Sequence, residues 1–153
     1  MHATKTETEY ILSIRITFPE KISAVLKQEK DRFVREYGSG YRSDPHITLY
    51  LGRYTKEGFP KLLEDLRGLS IQPFTISLLK PKMVRGNPHS NFYIVDISNK
   101  EQLKELHAKM LEIAVRYRSP HLREKDQQRI DRGLYGNAEH ENLNRYGFAH
   151  ALQ

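Results

Sequence analysis

Residues 43–52 read Ser-Asp-Pro-His-Ile-Thr-Leu-Tyr-Leu-Gly, and two of them, His46 and Thr48, have the types and spacing of a proton-transfer site. An imidazole titrates near neutral pH and can take or give a proton there. In a strand, residues two apart share a face, so the Thr48 hydroxyl stands beside that imidazole. The pair suits one side of a phosphoester site: the ring moves a proton while the hydroxyl holds an anionic oxygen. The same alternation predicts Tyr50 on the His46 face and Ile47, Leu49 and Leu51 on the other, which should meet the core. Pro45 fits the first residues of a strand, where a missing N–H costs little. His-x-Thr is a short pattern, and the plain alternative is a half-exposed strand histidine without a role.

The elements around this pair read as α+β. "EYILSIRITFP", residues 9–19, alternates like a strand and ends at Pro19. Ile22, Val25, Leu26, Phe33 and Val34 recur at helical spacing through residue 37, and Gly38 stops that helix. After the motif strand, Phe59, Leu62, Leu63, Leu66 and Leu69 form an amphipathic stripe. "PFTISLLKP", residues 73–81, reads as a strand, followed by a basic turn-rich loop, "KPKMVRGNPHS". "NFYIVDIS" is the next strand, and Ser98 with Glu101 makes a capping-box signature for a helix carrying Leu103, Leu106, Met110, Ile113, Ala114 and Tyr117. Strand–helix therefore occurs at 9–37 and again at 91–117, a weak internal repeat. From Arg118 the chain turns polar and arginine-rich, an excursion with a short helix at 138–145. "YGFAHALQ" then reads as the start of another strand.

The chain has 153 residues, no cysteine and a net charge of +6. It reads as one soluble domain. The absence of cysteine excludes disulfides, thiol nucleophiles and thiolate metal sites, and fits a cytoplasmic location. No stretch reads as a membrane span or a signal peptide. The basic balance favours anionic partners, nucleic acid or phosphorylated metabolites among them.

"PHITLYLG" resembles the first motif of the 2H phosphoesterase superfamily, the RNA 2',3'-cyclic phosphodiesterase and 2'-5' RNA ligase-like proteins. The order of elements along the whole chain is also similar to that family. The resemblance implies a bilobal α+β fold whose halves, about 9–80 and 91–153, enclose a central cleft. Two His-x-Thr strands would meet there. One histidine would act as general base and the other would protonate the leaving ribose oxygen, while the two hydroxyls hold the phosphate. Neither metal nor cofactor is implied. The partner implied is RNA or a nucleotide with a cyclic or 2'-5' phosphate, with His46 and Thr48 as the catalytic residues.

Only one such motif is present. His2 lies near the terminus, and His107 sits near an apolar helix stripe. His89 follows a proline but has no hydroxyl two residues on. His121 also follows a proline, yet Arg123 occupies its i+2 position within a highly charged run. His140 reads as exposed, and His150 is followed two residues on by Leu152. "ENLNRYGFAHALQ" is similar to the segment that leads into the second motif, so we expect a longer form to continue into a Pro-His-x-Thr strand. The 153-residue chain is then expected to be weakly active or inactive. Substrate-binding candidates are Tyr50, which shares the His46 face, and Tyr41, Arg42 and Arg85, with Lys80, Lys82, Arg118 and Arg123 as further cations near the cleft. The alternative is a catalytically inactive RNA- or nucleotide-binding module on the same fold. A plain interaction domain is the third reading, and oligomeric state stays open.

Overall fold

In the computed structural model the described residues are 8–38, 44–85 and 91–151, with backbone only at 83–85 and 91–94. The chain runs β1 (Glu9–Thr17), α1 (Glu20–Tyr37), β2 (His46–Thr55), α2 (Gly58–Arg67), β3 (Leu78–Arg85), β4 (Asn91–Ile97), α3 (Lys100–Tyr117), α4 (Glu124–Asp131) and α5 (Asn137–Tyr146). This is an α+β fold. Its strands form two antiparallel pairs, β1 with β2 and β3 with β4.

Sequence periodicity places most of these elements. Gly38 ends α1 in the left-handed region, at φ 75°, where glycine meets no Cβ penalty, and its N–H closes on the Val34 carbonyl at 2.8 Å. α1 buries no residue, however, and Ile22, Val25 and Val34 stay exposed. The expected strand at 73–81 is displaced. β3 begins only at Leu78 and runs through Pro81 to Arg85, into the segment read as a loop. Its ladder is irregular between Leu78 and Pro81, as the missing proline N–H demands. Ser98 does not close a capping box. Its hydroxyl accepts the Ser77 N–H at 2.9 Å, and Asn99 leads into α3 with φ 57°. The arginine-rich excursion holds a helix that the sequence reading missed, α4. Residues 147–151 form no strand, against expectation.

β1 and β2 pair along their full length, with one interruption. Residues Glu9 to Ile14 pair with Thr55 to Tyr50, whereas Arg15, Ile16 and Thr17 pair with Thr48, Ile47 and His46. Leu49 is the extra residue, a β-bulge. Leu49 and Tyr50 both turn into the core opposite Ile14, which packs against the clusters of both. One cluster gathers Tyr50, Tyr54, Leu62, Leu111, Ala114 and Phe148; the other joins Leu49 to Leu103, Leu106 and Met110. Burying each large aliphatic side chain contributes roughly 1.5–3 kcal/mol.

Two tyrosine hydroxyls tie this core to helix ends. Tyr54 donates to the Ala114 carbonyl at 2.9 Å, in the last turn of α3. Tyr50 donates to the Tyr146 carbonyl at 2.7 Å, at the end of α5. Each carbonyl lies where a helix leaves its acceptors without intrahelical partners. Gly52 lies over the Tyr50 ring. A Cβ there would stand 2.6 Å from the Tyr50 hydroxyl oxygen and 2.8 Å from a ring carbon.

On the opposite face, the Glu9 carboxylate anchors the excursion. It accepts hydrogen bonds from the Ser119 hydroxyl and from His121 Nδ1, the latter at 3.1 Å. Arg53 Nε stands 2.7 Å from its other oxygen, an ion pair without an aligned hydrogen bond. Burial pushes the Glu9 pKa up, but the bonds from Ser119 and His121 and the nearby positive charge outweigh it and hold the pKa below the ordinary 4.5. Farther on, Asp126 is fully buried and takes both Arg123 nitrogens, at 2.8 and 3.0 Å, and the Tyr135 hydroxyl at 2.7 Å. α4 is thus held by a satisfied polar network where an apolar stripe is lacking.

Two outcomes follow from this packing. Gly52→Ala should destabilise the fold by about 1–3 kcal/mol, because the buried Tyr50 ring cannot yield without losing its bond to Tyr146. Urea unfolding measures it, and an unchanged midpoint would contradict the packing described. Glu9→Gln should cost about 1–3 kcal/mol at pH 7. A carboxylate with a lowered folded pKa stabilises above its unfolded pKa, and that contribution is lost as pH falls through the folded value. The gap between wild type and Glu9→Gln should therefore narrow below the ordinary 4.5. A gap independent of pH between 3 and 7 would show that the Glu9 charge does not hold the excursion.

Candidate active site

His46 opens β2 and Thr48 follows on the same face, both half-buried. By alternation the face they share is opposite to that of Ile47 and Leu49, which point inward, although Thr48 also borders the cavity beside β2. His46 Nδ1 lies 2.6 Å from the Asp44 carbonyl oxygen. A carbonyl only accepts, so the neutral ring carries its proton on Nδ1 and its lone pair on Nε2. The Asp44 carboxylate is itself paired with Lys27 at 3.2 Å. The backbone before the strand thus orients the imidazole as a base whose reactive nitrogen is Nε2.

Tyr50 does not join them. The bulge at Leu49 shifts the alternation by one residue, and Tyr50 is 0% exposed, with Tyr54 and Phe148 packed edge-on to its ring at 6.2 and 5.7 Å. Burial raises the pKa of its hydroxyl, which is spent on Tyr146. Tyr50 is a core residue and cannot stack a base. Tyr41 and Arg42 lie outside the described residues, as does the side chain of Arg85 at the end of β3. Of the further cations, Lys82 pairs with Asp96 at 2.9 Å and Arg123 with Asp126 at 2.8 Å. Arg118 donates to the Ser119 and Asn144 carbonyls, each at 3.3 Å. These side chains serve the fold.

The other histidines fall in separate places. His107, 3% exposed, hydrogen-bonds the backbone of Leu49. Burial lowers its pKa below the ordinary 6.5, and that bond offsets the effect only in part, so the ring is neutral and braces the bulge from the α3 side. His121 is an exposed ring bound to Glu9, near Arg53 and so about seven residues along the sheet from His46. His150 is exposed, and its ring lies 6.1 Å from Phe148 and 6.3 Å from Tyr135. His140 is half-buried in α5. His2 and His89 lie outside the described residues.

The structure adds two features that the sequence reading did not include. A cavity of about 320 Å³ opens beside β2 between α3 and residues 148–150, with Thr48, Leu49, His107, Phe148 and His150 in its wall. Thr48 and His150 therefore border one space, although His150 lacks a hydroxyl two residues on. The second feature is Arg15, whose partner across the ladder is Thr48. The apolar pattern of "YILSIRITF" hid it, because there it reads only as an interruption.

Among the described residues no three of His, Asp and Glu converge as a metal-binding group. Among those residues, too, no helix is long and apolar enough to cross a membrane. Compared with protein-family models, with curated proteins and with solved structures, the chain matches none.

Proposed function

We propose that this chain carries the His46–Thr48 half of a metal-independent phosphodiesterase site of the 2H type, acting on 2',3'-cyclic or 2'-5' linked ribonucleotide phosphates. One observation carries the reading: the 2.6 Å contact between His46 Nδ1 and the Asp44 carbonyl presents Nε2 as a base on the face that Thr48 shares. In the hydrolytic direction, Nε2 takes a proton from water as its oxygen adds to phosphorus. The P–O bond to one ribose oxygen breaks, and that oxygen takes up a proton from a second acid. The Thr48 hydroxyl donates to a non-bridging oxygen as charge builds there. The bilobal arrangement about a central cleft, RNA or nucleotide as the partner, and a cytoplasmic location belong to the same proposal.

The placement of the other histidines favours a second reading, nucleotide binding without turnover. His107 is buried against Leu49 and His121 is bound to Glu9 at the other end of the sheet, so neither stands beside His46.

Hydrolysis of ribonucleoside 2',3'-cyclic phosphates, followed with and without EDTA, tests the proposal. Turnover, expected to be weak in the 153-residue chain and stronger in a full-length form, should be unchanged by EDTA, and His46→Ala should lower it by about 10²–10⁴-fold. Activity that vanishes with EDTA, or survives in His46→Ala, would overturn it. Binding without turnover in a full-length form that carries the second motif would select the second reading.

A further inference from the structure

The bulge that turns Tyr50 inward also determines what faces His46 and Thr48 from the neighbouring strand. Arg15 pairs with Thr48, and Thr17 pairs with His46. Residues directly opposite in an antiparallel ladder share a face, with Cβ atoms about 4.5–5.5 Å apart. The outer face at this end of the sheet therefore presents an imidazole, two threonine hydroxyls and a guanidinium together.

Arg15 is one of several described arginines that no carboxylate holds, and it is the one whose ladder partner is Thr48. Arg32, Arg53, Arg116 and Arg123 each pair with a carboxylate. Arg15 is exposed, and its Nε donates to the Ser13 hydroxyl at 2.9 Å. No carboxylate among the described residues lies within ion-pair distance of it. The bond to Ser13 occupies Nε and leaves both terminal nitrogens for another acceptor. The acid nearest the motif in sequence, Asp44, is paired with Lys27 at 3.2 Å. An uncompensated guanidinium with two parallel N–H donors is a natural partner for a phosphate.

We propose that Arg15 is the charge partner of the phosphate at this site, its terminal nitrogens holding non-bridging oxygens while the Thr48 hydroxyl donates to one of them. The inference rests on the preceding reading in one respect, that the ligand of this face is a phosphate. It extends that reading by naming the cation and the substrate charge. The site takes an anionic phosphodiester and rejects a neutral triester of the same shape. The charge that grows on the oxygens during attack at phosphorus would strengthen the same contact.

The test is an NMR titration of the full ¹⁵N-labelled chain with a ribonucleoside 2',3'-cyclic monophosphate, with turnover read in the same samples. We expect the Arg15 Nε–H and Thr48 N–H signals to move together. Arg15→Gln should weaken binding at least tenfold and Arg15→Lys by less. Lys61→Gln, which removes the same charge from α2, should bind within twofold of wild type. Failure of Arg15 and Thr48 to respond in wild type, wild-type affinity in Arg15→Gln, or equal weakening in Lys61→Gln would each overturn the inference. The two proposals fail separately. Arg15-dependent binding without hydrolysis, both in this chain and in a full-length form that carries the second motif, supports this inference and overturns the phosphodiesterase reading. Hydrolysis lost in His46→Ala but kept within twofold in Arg15→Gln supports that reading and overturns this one.

Discussion

The β-bulge at Leu49 is the constraint on which the rest of this structure depends. With one residue more on β2 than on β1, Leu49 and Tyr50 both enter the core, one to each hydrophobic cluster. His107 braces Leu49 from α3, and the Tyr50 hydroxyl is fastened to the end of α5. The bulge thus joins both sides of the core, and it divides β2 into an end packed in the core and an end that carries His46 and Thr48.

The His46 end is shaped by this division. Because Tyr50 and Leu49 satisfy the core, His46 and Thr48 carry no packing duty beyond their half-burial, and their face holds polar groups from both strands. Asp44 orients the ring through its backbone, and its side chain pairs with Lys27. At the other end of the same face, Glu9 gathers Arg53, Ser119 and His121 into a knot that secures the excursion. Chemically similar residues therefore play different parts: His121 is tied to a carboxylate, whereas His46 is tied to a carbonyl and keeps a free nitrogen.

Much of the fold was legible in the sequence wherever a period ran long enough. The 3.6-residue stripes marked α1, α2 and α3, and the two-residue alternation marked β1 and the start of β2. The bulge was not legible, since Tyr50 is fixed by the carbonyl of Tyr146, 96 residues away, and no local pattern records that contact. α4 was missed for a different reason: it is held by the buried Asp126 and its arginine and tyrosine donors, and such a network leaves no apolar period. That His46 and Thr48 share a face was legible from spacing alone. Arg15 was not, because cross-strand register decides its place, and register was invisible once Leu49 had shifted it.

The central claim is that His46 presents a free Nε2 to the face it shares with Thr48. Long-range ¹H–¹⁵N correlation spectra of the imidazole nitrogens at neutral pH read this directly. We expect His46 to be the Nδ1–H tautomer, with Nε2 the nitrogen whose shift moves when a 2',3'-cyclic nucleotide is added. A ring protonated on Nε2 with its lone pair on Nδ1, or a His46 signal indifferent to the nucleotide, would contradict the account.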